Sequence, residues 1–88
     1  MLLAIDIGNT NIVFGLINDD RIIHSWRIGT DRTKTHDEYG VLLRMLLEYK
    51  QFDITNLNGS VISCVVPALQ ETIVKCIENY FSIKPLVV

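Results

Sequence analysis

The side chains best suited to chemistry stand together near the start of the sequence, in Asp6-Ile7-Gly8-Asn9-Thr10-Asn11. Asp6 falls in an otherwise apolar run, Leu2 to Ile7, where an unpaired buried carboxylate is costly or has its pKa raised. A bound cation would remove that cost. Gly8 has no Cβ, so the chain can turn sharply there and a ligand can come close to the backbone. Asn9, Thr10 and Asn11 add amide and hydroxyl donors beside exposed backbone N–H groups. A carboxylate for Mg2+, a glycine for access and donors for phosphate oxygens make up a cradle for nucleotide phosphates. The plain alternative is a hairpin turn whose Asp and Asn side chains bond only their own backbone. Against it stands the place of Asp6 in the strand rather than the turn. The spacing fits neither the Walker G-x-x-x-x-G-K-[ST] nor the dinucleotide G-x-G-x-x-G pattern.

Three strands are expected to position this turn. Leu2 to Ile7 and Ile12 to Ile17 flank it, Asn18-Asp19-Asp20 makes a second turn, and Arg21 to Ile28 alternates with Ile22, His24, Trp26 and Ile28 on one face. They form an antiparallel meander. After the polar stretch Gly29 to Lys34, Thr35 with Glu38 three residues on forms a capping box. The helix it opens carries Tyr39, Leu42, Leu43, Leu46 and Leu47 and ends near Lys50. Ser60 to Val66 is short, β-branched and apolar on both faces, as in an interior parallel strand. Pro67 can start a helix, with Leu69, Ile73, Cys76, Ile77 and Tyr80 at helical spacing. Pro85 to Val88 begins a fifth strand. The order βββαβαβ specifies an α/β fold, a mixed five-stranded sheet with helices packed on it.

The remaining polar residues read as structural. Thr33 to Glu38 fit a loop and a helix cap with acids at the positive end of the dipole. His24 and His36 lack metal or triad spacing, Trp26 reads as core or edge cover, and Tyr39 and Tyr80 as core. Ser63 reads as a strand hydroxyl bonded within the sheet, although it could reach a nucleotide if its strand end faces a cleft. Cys64 and Cys76 lack zinc or redox spacing and read as small buried hydrophobes.

Composition narrows the class. With 49% hydrophobic residues and a net charge of −2, the 88-residue chain can bury a core, which excludes a disordered tail. The missing Lys and Arg surplus argues against an electrostatic nucleic-acid binder. The longest apolar runs are too short for a membrane span, and the early Asp6 argues against a secretory signal, so a cytoplasmic protein without nucleic-acid or membrane partners is expected. A mean hydropathy of +0.30 is high for one small domain. Some apolar surface is therefore expected to meet a second domain or a partner subunit.

These residues resemble a known family. Asp6-x-Gly8-Asn9-Thr10 between the first two strands is similar to the first phosphate motif of the acetate and sugar kinase, heat-shock chaperone and actin superfamily. Its Gly-Asn-Thr form resembles type III pantothenate kinases, as do Thr30-Asp31 through Thr35-x-Asp37-Glu38-Tyr39 and Ile62-Ser63-Cys64-Val65-Val66-Pro67. The similarity runs over all 88 residues and corresponds to about the first third of such a kinase. It implies an actin-like, ribonuclease H-like ATPase domain, with residues 1–88 its incomplete N-terminal part and a second domain outside this chain. It implies ATP-dependent phosphorylation of pantothenate to 4'-phosphopantothenate, the first step of coenzyme A synthesis. By the same resemblance Asp6, Ile7, Gly8, Asn9, Thr10, Asn11, Ile12 and Val13 line the ATP phosphates, and Asp6 helps place Mg2+. A homodimer and a monovalent cation, K+ or NH4+, are implied as well. The pantothenate pocket and the general-base Asp are expected in a glycine, x, Asp, Arg segment downstream. No catalytic residue is therefore expected here, and the 88 residues alone should be inactive. Two other readings stay open: a non-catalytic nucleotide-binding regulator on the same fold, akin to an accessory transcription factor, or another kinase of the superfamily.

Overall fold

The computed structural model describes residues 1–88. Strands β1 (Leu2–Ile7), β2 (Asn11–Asn18) and β3 (Arg21–Gly29) are followed by helix α1 (His36–Tyr49), strand β4 (Gly59–Cys64), helix α2 (Pro67–Phe81) and strand β5 (Leu86–Val87). The sheet order is β3-β2-β1-β4-β5. β1 pairs antiparallel with β2 and parallel with β4, β2 pairs antiparallel with β3, and β4 pairs parallel with β5. The expected order βββαβαβ and the mixed sheet are what the chain adopts.

Local chemistry accounts for each boundary. Asp19 and Asp20 both take positive φ, 49° and 63°, as the two-residue turn between β2 and β3 demands. At the start of α1 the Thr35 hydroxyl accepts from the Glu38 N–H at 3.1 Å, while the Glu38 carboxylate accepts from the Thr35 N–H at 3.0 Å. The expected cap is thus present. Pro67 occupies the first turn of α2, and Ser82 ends that helix with φ 55°.

One face of the sheet carries the core. Leu3, Ile5 and Ile7 of β1, Ile12, Phe14 and Leu16 of β2 and Ile62 of β4 are buried together with Tyr39, Leu43 and Leu47 of α1 and Leu69, Ile73 and Ile77 of α2. Truncating one of these to Ala costs about 2–5 kcal/mol. Both helices lie on that face for a topological reason. β3-α1-β4 and β4-α2-β5 each join parallel strands while travelling the same way across the sheet, and connections of one hand then fall on one side.

The opposite face is left open, which corrects the expectation for β4. That strand lies between β1 and β5, yet only its Ser60 and Ile62 side is covered, and Ser63 on the other side is exposed. The apolar surplus of the sequence lies partly on this face, where Leu2 is 42% exposed.

Three further expectations need correction. A register shift between Leu16 and Ile17 pairs His24 with Leu16 but Ile22 with Ile17, so Ile22 leaves the face shared by His24, Trp26 and Ile28. It is 69% exposed. Tyr80 is only half-buried, its hydroxyl donating to Asp37 Oδ1 at 2.8 Å. Its ring lies where a Gly40 Cβ would stand, within 2.2 Å, so α1 and α2 touch through a glycine. Cys76 is fully buried, but Cys64 is half-buried at the end of β4, where its thiol donates to the Val66 carbonyl at 3.0 Å.

Candidate phosphate-binding site

The turn joining β1 to β2 closes through a bond from Gly8 N–H to the Asn11 carbonyl, 2.9 Å. Gly8 has no positive φ. It is needed because a Cβ there would sit 3.0 Å from the Asn11 carbonyl oxygen, tighter than side chains normally accept. The glycine serves close approach rather than left-handed backbone.

Alternation along the strands sorts the expected site residues. Ile7 and Ile12 point into the core with no exposure, so only their backbone is available to a ligand. Gly8, Asn11 and Val13 are half-buried, and Asp6, Asn9 and Thr10 are exposed. The exposure of Asp6 corrects the premise that its carboxylate sits buried. It stands on the open sheet face, in register with Val13 of β2 and Ser63 of β4, and lines a shallow, mostly apolar concavity with both. Asp6 and Ser63 thus sit side by side near the C-terminal ends of two parallel strands, where open α/β sheets take their ligands. Ser63 is exposed, unlike Ser60, whose hydroxyl is tied to the Leu3 carbonyl at 2.8 Å.

Thr30, just past β3, organises the turn. Its hydroxyl donates to the Gly8 carbonyl at 2.8 Å and its N–H to the Thr10 carbonyl at 2.9 Å. Two of the turn's carbonyls are thereby taken. The Asn9 and Thr10 N–H groups have no acceptor within the chain, so the donors stay free. With two carbonyls occupied and two N–H groups free, the turn's polarity leans toward positive partial charge, as an anion site requires. The Thr30 role was not legible in local spacing, because its partners lie 22 and 20 positions earlier.

The fit to Mg2+ can be judged from the donors. No group of three or more His, Cys, Asp or Glu side chains comes together anywhere in the chain. One carboxylate, Asp6, beside one hydroxyl, Ser63, suits an ion that keeps its waters and takes its other ligands from phosphate oxygens, which is how Mg2+ is usually bound.

The loop from Gly29 to Thr35 is otherwise self-contained. Asp31 accepts from the Thr33 hydroxyl at 2.6 Å and the Thr33 N–H at 2.9 Å, and Lys34 Nζ lies 3.4 Å from its other oxygen. The Thr33 bonds, chiefly the hydroxyl, hold the Asp31 carboxyl at about 2. The Tyr39 hydroxyl donates to the Asp31 carbonyl and accepts from its N–H at 3.1 Å. Gly29-Thr30-Asp31-Arg32 also spells glycine, x, Asp, Arg inside this chain, the pattern expected only downstream. Its Asp31 is a poor proton acceptor, since its oxygens are already engaged and its pKa is low. The segment packs against the turn instead.

Comparison with known proteins decides the family. Residues 2–88 match the family described as type III pantothenate kinase. The chain belongs to that family. Proteins named type III pantothenate kinase are 43% identical in an Exiguobacterium species, 46% in Syntrophobacter fumaroxidans and 49% in Finegoldia magna, each over all 88 residues. This chain covers 34–35% of those proteins, about a third of the length of the curated relatives it matches. Among solved structures, a Porphyromonas gingivalis protein named as an N-acetylglucosamine kinase superposes with a TM-score of 0.71 at 13% identity. The superposition covers 100% of this chain and 33% of that one. The likeness establishes the shared fold, the actin-like α/β architecture expected from the first phosphate motif. No helix of the chain is long and apolar enough to cross a membrane.

Proposed function

We propose that the protein carrying this chain is an ATP-dependent pantothenate kinase, with residues 1–88 as the front of its nucleotide-binding domain. The observation that carries the reading is the sorted polarity of the β1–β2 turn. Thr30 occupies the Gly8 and Thr10 carbonyls, and the Asn9 and Thr10 N–H groups stay free beside exposed Asp6. Family membership supports the substrate.

In this reading the Asn9 and Thr10 N–H groups and the Thr10 hydroxyl receive phosphate oxygens, and Asp6 with Ser63 helps hold Mg2+. Ile7 and Ile12 contribute backbone only. Mg2+, when bound, offsets charge on the transferring phosphoryl group. An alcohol oxygen of pantothenate forms the new bond to the γ-phosphorus while the bond to ADP breaks. Its proton passes to a base outside this stretch. A homodimer, a cytoplasmic location and a requirement for K+ or NH4+ follow from the same reading, and no residue of this chain is assigned to the monovalent ion.

The experiment is ADP release by the full-length protein with Mg2+ and K+, comparing pantothenate with a panel of sugars and small acids. Release dependent on pantothenate is expected. Release with a sugar or another acid instead would make it a different kinase, and ATP binding without release on any substrate would make it a regulator.

A further inference from the structure

Three basic side chains lie at the end of β3 and in the loop to α1: Arg27 within the strand, and Arg32 and Lys34 beyond it. Their surroundings differ. Lys34 faces Asp31 at 3.4 Å, and Arg27 sits opposite Val13 within the sheet. Arg32 reaches back 23 positions to the phosphate turn, where its Nη2 donates to Asn9 Oδ1 at 3.3 Å. The acid next to it in sequence is turned away. Both oxygens of Asp31 are used by Thr33 and Lys34, and Arg32 takes part in none of the chain's ion pairs. The loop thus leaves one uncompensated guanidinium at the tip of the turn, on the residue whose own N–H is free.

From this arrangement we infer that Arg32 is a further phosphate-binding residue, contacting the outer phosphates of a nucleotide seated on the β1–β2 turn, with Asn9 as its positioning residue. The inference rests on the phosphate reading of the turn. A guanidinium has five N–H donors in a planar fork, and the Asn9 bond uses one of them. The rest suit bidentate contact with phosphate oxygens. The charge balance favours such a contact, because a triphosphate carries more negative charge than one Mg2+ offsets and Asp6 adds another. The free N–H groups of Asn9 and Thr10 supply only partial charges. Arg32 supplies a whole one, and its exposure means that phosphate contact need not disturb the core.

The test measures binding of ATP, ADP and adenosine to the full-length protein by calorimetry at several salt concentrations. Arg32→Ala should weaken ATP about tenfold, weaken ADP less, and leave adenosine within about twofold. Arg32→Lys should recover part of the ATP affinity, and in Arg32→Ala the salt dependence of ATP binding should become shallower, because one charge pair is gone. Equal losses for ATP and adenosine would reduce Arg32 to a structural role and overturn the inference. So would unchanged ATP binding in Arg32→Ala alongside lost binding in Thr30→Val, which would leave the phosphate turn standing. A wild-type protein that binds ATP no better than adenosine would overturn the phosphate turn itself and the Arg32 contact with it.

Discussion

The Thr30 hydroxyl donates to the Gly8 carbonyl at 2.8 Å, joining the end of the third strand to the turn after the first. With the Thr30 N–H on the Thr10 carbonyl at 2.9 Å, one residue ties down two carbonyls of a turn whose Asn9 and Thr10 N–H groups it leaves free. Thr30→Val keeps the shape and the N–H bond but strands a part-buried carbonyl. A loss of about 1–2 kcal/mol of stability is expected. ATP binding should weaken several-fold beyond what unfolding explains, and Thr30→Ser should restore both. Chemical denaturation paired with calorimetry checks this, and Val behaving like wild type in ATP affinity would remove the clamp from the binding argument.

Asp6 is exposed on the open sheet face, so replacing it removes charge without emptying the core. Asp6→Asn in the full-length protein should lower turnover by more than tenfold while stability stays within about 0.5 kcal/mol. Turnover measured against Mg2+ concentration reads this out. A rate within a few-fold of wild type would mean that Asp6 does not position the metal.

A methyl group on Gly40 would meet the Tyr80 ring at 2.2 Å, a distance that forces α1 and α2 apart or turns the ring. Gly40→Ala should destabilise the fold by about 1–3 kcal/mol. Combined with Tyr80→Leu, the loss should be smaller than the sum of the two single changes, because the clash has gone. Additive losses in urea titrations would show that the helices are held apart by something else.

Cys76 is buried, and burial pushes its thiol up from 9.0 to about 12. Between those values the unfolded chain has released the proton while the folded chain still holds it. Stability should therefore decline as pH rises above 9, by up to about 1.4 kcal/mol per pH unit for this one group. Urea midpoints from pH 8 to 10.5 for wild type and Cys76→Ala measure it. The variant should start lower and fall less steeply, and parallel curves would assign the alkaline loss elsewhere.

Much of the fold was legible because its signals are local. The Thr35–Glu38 capping box, the Asp19-Asp20 turn and Pro67 at the head of α2 each act within a few residues, and each appears where the sequence places it. The alternation puts Ile22 on the core face, but a register shift between Leu16 and Ile17 moves it to the open face, and no residue type in the strand announces that shift. The helical spacing of Tyr80 alone predicts a core residue. Its hydroxyl bond to Asp37 depends on how closely Gly40 lets two helices approach, which no pattern within one helix can state.

The β1–β2 turn divides in the same way. The sequence by itself determined the turn's position, its donors at Asn9 and Thr10, the strand elements on either side and the family, since these depend on residue type and short spacing. Only the tertiary structure decided that Asp6 is exposed rather than buried, that Ser63 stands beside it, and that Thr30 and Arg32 come back to the turn. The physical reason is that which face of a sheet is covered follows from the direction and hand of the crossovers between strands. Pairing between residues 22 or 23 positions apart likewise follows from sheet register, and neither property is encoded in any short run of residues.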